Sequence, residues 1–257
     1  MPKSPSYPVP ALEKGLDIIE TLAAAAVPQS LAELAARLHR SSSELFRMLN
    51  CLEQRGYLTR DALSGKYCLT LKLFALAHTH SVTEKLLRAA RVPLQELTEK
   101  VRESVHMSVI EHGTLIVVAQ QESPERVRLS IEVGGQFDAV ETASGRLLLA
   151  QLSEEHRTQA LAHSPGWKQL SARALAELTG KFEELRTSRL SIAESETIEG
   201  VRDVAVLVGG PAVGLSAALA ITRLLRRGQR GNEAALVAAM RAAAAEITAQ
   251  LGGEAHA

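Results

Sequence analysis

Three consecutive serines, with an arginine one helical turn later, form the part of this sequence with the clearest chemistry. Ser42 and Ser43 follow Ser41, which lies three residues before Glu44 in the spacing of a helix-capping box. Hydroxyls, backbone amides and a guanidinium at the start of a helix are donors that bind phosphates and base edges of DNA. We expect Ser41 to cap the helix. The expected DNA contacts are Arg40, Ser42, Ser43, Arg47, Arg60 and Lys66.

Histidines and acids elsewhere raise the alternative of an enzyme. His78 and His80, with Glu84 one turn later, resemble a metal cluster, but histidine pairs on a helix surface are far commoner. Other groups that acid–base chemistry could use are His106, Glu111, His112 and Asp138. The sequence has no G-x-S-x-G, H-E-x-x-H, P-loop or G-x-G-x-x-G pattern. We therefore predict no catalytic site, no metal and no cofactor, and keep an enzyme with an accessory DNA-binding domain as an alternative.

The elements that must hold the DNA-binding donors are short helices. Apolar residues at helical spacing predict a first helix over residues 11–24, and Ser30 with Glu33 forms the capping box of a second. The third helix begins after Ser41 and ends at Gly56, since glycine suits a left-handed C-cap. Two residues separate the second and third helices, which therefore form a helix-turn-helix candidate.

A hairpin follows these helices. Residues 57–60 and 66–69 read as strands around a polar turn, which is the arrangement of a wing. Residues 9–70 are therefore predicted to form a winged helix-turn-helix domain. The proline-rich residues 1–8 are expected to be a disordered leader.

The rest of the chain mixes helices and hairpins. Residues 71–91 are expected to be a linker helix, bent near Ser81, and residues 92–252 a second domain. Strands are predicted at 106–110, 115–118 and 127–133, helices at 94–102, 142–150, 153–162 and 172–188, a hairpin at 204–208 and 213–222, and a last helix at 232–251. This order indicates an α+β fold around an antiparallel sheet.

Composition limits the class of protein. The chain has 257 residues, 46% hydrophobic and 23% charged, which suits one or two globular domains. No apolar stretch is long enough for a membrane span, and Cys51 and Cys68 fit buried thiols in a reducing cytoplasm. Lysine plus arginine and aspartate plus glutamate both total 29, which by itself speaks against a nucleic-acid-binding protein. A DNA-binding protein without net charge would gain affinity by forming a homodimer or a dimer of dimers on paired half-sites.

Several segments, in order, resemble the IclR family of bacterial transcription regulators. They are Leu31 to Ala35, Arg47 to Leu58, Gly65 to Tyr67, Glu122 to Pro124, Thr142 to Ala150, Glu199 to Arg202 and Ala217 to Thr222. The resemblance implies a winged helix-turn-helix joined by a linker helix to a GAF-like effector-binding domain. It also implies a repressor or activator of a promoter, binding double-stranded DNA and a small metabolite. A regulator without an effector, whose second domain only oligomerises, is the alternative.

The same resemblance implies an effector pocket, from which this sequence departs. Its expected lining is Leu129, Phe137, Ala143, Ser144, Ala193, Asp203, Ala220 and Thr222. The family cysteine is replaced by Asp203, a serine by Ala220, and an acidic position by Ala193. In such a pocket a simple carboxylate effector would find fewer hydrogen-bond donors and would lie near the carboxylate of Asp203. We therefore expect a larger, neutral or amine-bearing effector, or none. The alternative for Asp203 is pairing with Arg202 or exposure to solvent.

Overall fold

A computed structural model of the chain describes residues 9–77, 82–194, 199–225 and 233–253. The chain divides into two compact units between Ser81 and Val82. The predicted leader and the histidines His78 and His80 lie outside the described residues.

The first unit is a small helical domain with a two-stranded hairpin. Its elements are α1 (Pro10–Ala25), α2 (Leu31–Leu38), α3 (Ser42–Gln54), β1 (Leu58–Arg60), β2 (Tyr67–Leu69) and α4 (Lys72–Ala77). Its core consists of Ile18, Leu22, Leu34, Leu45, Leu49, Leu58 and Tyr67. β1 and β2 pair antiparallel, with Thr59 opposite Cys68. The predicted helix-turn-helix and wing are confirmed within one or two residues.

The second unit is a six-stranded antiparallel sheet with helices on both faces, within the part of the chain that the structure describes. Its helices are α5 (Val82–Val101), α6 (Ala143–Gln151), α7 (Glu154–His163), α8 (Pro165–Gln169), α9 (Ala172–Ser188) and α10 (Glu233–Gln250). Its strands are β3 (Val105–Glu111), β4 (Thr114–Gln121), β5 (Gln136–Asp138), β6 (Leu190–Glu194), β7 (Val201–Gly210) and β8 (Leu215–Leu224). The strand order is β5-β4-β3-β8-β7-β6. The predicted α+β class with an antiparallel sheet is confirmed.

The two faces of this sheet have different partners because side chains alternate along each strand. On one face Met107, Val206 and Leu219 pack in one cluster with residues of α5 and α10. On the other face Ala205 and Ala220 pack with Leu147 of α6. The face that carries α6, here called the α6 face, holds the residues discussed below.

The strand predicted over residues 127–133 is wrong. The segment lies outside the sheet, and Arg128 and Ser130 donate instead to the carboxylate of Glu122, at 2.7 and 3.0 Å. Gly134, at φ 87°, then turns the chain so that β5 pairs with β4. Alternating apolar residues predicted a strand here, but the backbone enters the ladder only after the glycine turn.

Three further elements differ from the prediction. The sequence predicts a break before Leu94, whereas α5 continues through Pro93. A proline inside a helix costs about 3 kcal/mol, but Ala90 and Leu94 on either side of it are buried in the same core cluster. The edge strand β6 and the short helix α8 are not predicted.

Candidate nucleic-acid interface and effector site

Both predicted capping boxes are confirmed, and they fix the starts of α2 and α3. The Ser41 hydroxyl accepts from the Glu44 amide at 3.3 Å, and the Glu44 carboxylate accepts from the Ser41 amide at 3.2 Å. Ser30 and Glu33 make the same exchange at 3.2 and 2.6 Å. Each box satisfies amides that the first helical turn leaves without partners.

The outer face of α3 is exposed and polar. Leu45 and Leu49 point into the core of the first unit and are fully buried. The residues exposed on the outer side are Ser42, Ser43, Phe46, Arg47 and Asn50. Their spacing of three and four residues places them on adjoining rows of one helix surface. This surface is the one a helix-turn-helix presents to the major groove.

The predicted contact residues of α3 have different environments. Arg47 is exposed, as is Arg40 just before the helix, and neither guanidinium binds another residue in the described part of the chain. Ser42 is exposed as well. The Ser43 hydroxyl lies 3.2 Å from that of Ser41, so it is partly engaged in the cap.

The two predicted cations of the wing bind within their own unit. Arg60 donates to the Gly65 carbonyl at 3.2 Å, and its guanidinium carbon lies 5.5 Å from the centre of the Tyr67 ring. Lys66 pairs with Glu33 at 3.2 Å. Both contacts are partly exposed, so a phosphate has to compete with them.

Acids near the recognition helix are neutralised internally, which explains how a nearly neutral domain can offer free cations. A hydrogen bond from Lys14, at 2.8 Å, and the bonds from Ser41 hold the pKa of Glu44 at about 2. Bonds from Ser30 and then Lys66 hold the pKa of Glu33 at about 2. The objection from overall charge therefore does not apply to the outer surface of α3.

Phe46 and Asn50 were missed by the sequence interpretation. An asparagine amide can bind the N6 and N7 atoms of adenine, and an aromatic side chain can contact the thymine methyl group. Both lie on the exposed face that carries Arg47. Helical spacing from Arg47 was the signal that could have found them.

Ser41→Ala is expected to lower the stability of the first unit by about 1 kcal/mol, because the first turn of α3 loses its cap. Hydrogen exchange of the α3 amides in the full chain measures this loss. Ser42→Ala is the matched control and should change stability by less than about 0.5 kcal/mol, since this exposed hydroxyl makes no cap bond. Equal losses in the two variants would contradict the capping assignment.

In the second unit, the start of α6 is pressed against neighbouring backbone. The Thr142 hydroxyl caps the helix by accepting from the Gly145 amide at 3.0 Å. A Cβ on Gly145 would lie 2.2 Å from the Ala139 carbonyl oxygen, so only glycine fits this approach. Ala143 and Ser144, both predicted for the effector pocket, are buried at this point.

Strand register brings most of the predicted effector residues to the α6 face. Asp203 lies opposite Thr222 and Ala193, and Ala205 lies opposite Ala220. Directly opposite residues share a face, and Ala205 and Ala220 pack under α6, so all five lie on that side.

Two more predicted residues lie at or beyond the other edge of the sheet. Phe137 is opposite Leu115, a member of the α6-face cluster, and is 40% exposed. Leu129 lies in the irregular segment before β5, outside the sheet. That these residues line one pocket stays a prediction.

Asp203 is a partly buried carboxylate whose one hydrogen-bond donor among the described residues is a hydroxyl. The Thr222 hydroxyl donates to it at 2.6 Å. Burial raises the pKa of Asp203, and the Thr222 bond opposes this rise. The expected alternative partner, Arg202, instead binds Glu194 and Glu233, each at 3.0 Å.

Two further polar residues occupy the α6 face. His106 lies opposite Ala220, and Ser108 lies opposite Ala218. Ser108 is fully buried, and its hydroxyl has no hydrogen-bond partner among the described residues. The sequence marks His106 as a candidate for acid–base chemistry and gives no signal for Ser108. Register with β8 is the signal that places both.

Asp138, also weighed for acid–base chemistry, has a structural role. Its carboxylate accepts from the Ser164 hydroxyl at 2.7 and 2.9 Å and from the amides of Val140 and Gly166 at 3.1 and 2.7 Å. These bonds hold the start of α8 against the segment after β5. Among the described residues, no cluster of His, Cys, Asp or Glu could hold a metal ion.

A cavity of about 450 Å³ lies between α6, α9 and β6. Its lining includes Arg146, Leu178, Lys181, Leu185, Ser191 and Ala193. It shares one residue, Ala193, with the predicted effector set. The cavity therefore adjoins the Asp203 end of the α6 face.

Lowering the pH should destabilise the second unit through His106. Burial lowers the pKa of this ring from 6.5 to about 4, so the unfolded chain binds a proton more readily than the folded one. The contribution of the neutral His106 ring to the free energy of unfolding is complete above pH 6.5. It falls by up to roughly 3 kcal/mol as the pH is lowered towards 4. Urea unfolding followed by fluorescence of Trp167, the one tryptophan, measures this slope. In His106→Gln the slope should flatten, and an unchanged slope would remove His106 as its source.

Comparisons with known proteins agree with this arrangement. The IclR helix-turn-helix domain matches residues 11–62, and the bacterial transcriptional regulator IclR C-terminal domain matches residues 78–249. The regulator KdgR of Escherichia coli K12 is 27% identical over 86% of this chain and 85% of its own. The transcriptional repressor IclR of the same strain is 26% identical over 95% and 91%.

A solved structure shows the same fold. It is an IclR homolog from Microbacterium hydrocarbonoxydans, complexed with 4-hydroxybenzoate, with a TM-score of 0.78. It is 23% identical and is matched over 94% of this chain and 99% of that chain.

The first unit is a winged helix-turn-helix with an exposed recognition helix, and the second is an α+β unit. This combination is that of a transcription regulator with a DNA-binding domain and a separate C-terminal domain. The chain belongs to the IclR family of bacterial transcriptional regulators. No described helix is long and apolar enough to cross a membrane.

Proposed function

We propose that this protein is a DNA-binding transcription regulator that reads its operator through α3 and responds to a small metabolite bound at the α6 face. The observation that carries the DNA-binding part is the exposed surface of α3, on which Arg47 has no partner in the described chain. Arg40, Ser42, Ser43, Phe46 and Asn50 supply further contacts. Arg60 and Lys66 contact phosphates by exchanging their present partners within the first unit.

The response to an effector rests on the polar residues of the α6 face. Asp203 and Thr222 lie opposite one another on β7 and β8, and His106 and Ser108 lie on the next strand, β3, opposite Ala220 and Ala218. Buried polar groups without full hydrogen bonding are costly unless something binds them. The chain has no catalytic role in this proposal and acts in the cytoplasm, where bacterial DNA is found.

A homodimer is part of the proposal. Val9, Leu12 and Leu16 are 51%, 58% and 47% exposed and recur on one side of α1, opposite the buried Ile18 and Leu22. A second copy of this surface would cover them and place two recognition helices on half-sites of one operator.

Selection from a random DNA library with the purified full-length chain tests the function. We expect enrichment of a motif with two half-sites, and retardation of that DNA that weakens steeply as salt rises. Failure to enrich any sequence at low salt would overturn the regulator proposal. Enrichment of DNA whose affinity no metabolite alters would favour the regulator without an effector.

A further inference from the structure

The α6 face is unusual in presenting a carboxylate that no cation neutralises in the described chain. Arg202 and Arg223 are the nearest arginines along these strands, and they lie opposite one another. Both bind Glu233 of α10, at 3.0 and 3.3 Å, so they belong to the other face of the sheet. Asp203 is left with the Thr222 hydroxyl.

We propose that the effector of this protein carries a protonated amine, which binds the Asp203 carboxylate on the α6 face. This inference rests on the proposed function and names the chemical class of its ligand. A carboxylate placed beside Asp203 would face a like charge in a partly buried site, where such repulsion is weakly screened.

Hydrogen-bonding capacity at Asp203 points the same way. The Thr222 hydroxyl uses its one hydrogen in the bond to Asp203. Both side chains therefore offer a ligand only acceptor lone pairs. Their sheet neighbours Ala193 and Ala220 add no donor. An ammonium group has three donors and no acceptor, and therefore matches this surface.

The second observation is the pair of unpartnered polar side chains further across the same face. Ser108 is fully buried and His106 is 8% exposed, and no hydrogen bond joins either side chain to the described residues. The buried ring of His106 is neutral at pH 7, so it does not repel a cation.

Sheet geometry sets the size of the ligand. The Cα atoms of Asp203 and His106 are separated by two strand spacings across and two residues along, which is roughly 12 Å. A ligand that joined both groups would carry an amine at one end and a neutral hydrogen-bonding group at the other.

Three probes with the same ring test the proposal: 4-hydroxybenzylamine, 4-hydroxybenzyl alcohol and 4-hydroxybenzoate. Calorimetric titration of the full-length wild type should show the amine binding at least about tenfold more tightly than the alcohol or the benzoate. Asp203→Asn should lose about tenfold in affinity for the amine, because its amide keeps the shape and the Thr222 bond without the charge. Glu246→Gln, an exposed change on α10, is the matched control and should bind as wild type does.

Tighter binding of the benzoate, no binding of any probe, or equal amine binding by wild type and Asp203→Asn would overturn the proposal. Retardation of the selected DNA is measured in parallel with the same samples. Intact DNA binding with a failed amine test rejects the ligand class alone, whereas loss of DNA selection rejects the regulator itself.

Discussion

Arg47→Ala is expected to weaken binding to the selected operator by roughly 10- to 100-fold, or about 1–3 kcal/mol. The exposed guanidinium lies on the outer face of α3 and has no competing partner in the described chain, so it is available for a bidentate contact with a guanine. Alanine favours a helix, and the change removes no core contact, so folding should be retained. Fluorescence anisotropy with labelled operator and with scrambled DNA measures both affinity and specificity.

Arg37→Ala is the matched control for this experiment. Arg37 is an exposed cation on α2, outside the recognition helix. Its loss should leave the ratio of operator to scrambled affinity unchanged. If Arg47→Ala keeps that ratio as well, Arg47 contacts phosphate only and the recognition set must be reassigned to its neighbours on α3.

Gly145→Ala is expected to destabilise the second unit by about 3 kcal/mol, because the added Cβ would collide with the Ala139 carbonyl oxygen. The three atoms nearest to this Cβ all belong to the backbone of Ala139, so no flexible side chain can move away. The start of α6 would have to shift, and Ala143 and Ser144 would shift with it. Urea unfolding followed by Trp167 fluorescence measures the stability of this unit.

Gly180→Ala on α9 is the opposite control. A Cβ there meets nothing within 4 Å, and the helix interior favours alanine, so stability should rise by about 0.5–1 kcal/mol. The two variants make the same chemical change in helices of the same unit. Similar effects from both would show that the close approach at Ala139 does not constrain α6.

Local chemistry explains why the first unit was predictable. Ser30 with Glu33 and Ser41 with Glu44 satisfy helix amides within three residues, so no distant contact is needed to place the starts of α2 and α3. Gly56, at φ 75°, ends α3 by a similarly local preference. The candidate recognition surface was predicted for the same reason, although Phe46 and Asn50 were not singled out.

Contacts outside the local hydrophobic pattern explain the errors. Apolar and polar residues alternate over 127–133 as they would in a strand. Side-chain bonds to Glu122 hold this segment outside the sheet, and after the turn at Gly134 it is β5 that pairs with β4. Pro93 carries a local signal to stop a helix, yet burial of its neighbours against the sheet keeps α5 continuous. Neither outcome can be read from a window of a few residues.

From its residues alone, this chain could be assigned two capped helices, a wing, an α+β second domain and a family. Those features depend on hydrogen bonds and periodicities that span a few positions. Folding in three dimensions set the surroundings of each functional group: the internal partners of Lys66 and Arg60, the close approach at Gly145, and the isolation of Asp203 with Thr222 on the α6 face. These depend on strand register and on the packing of distant segments, because a one-residue slip would move Asp203 to the arginine side of the sheet.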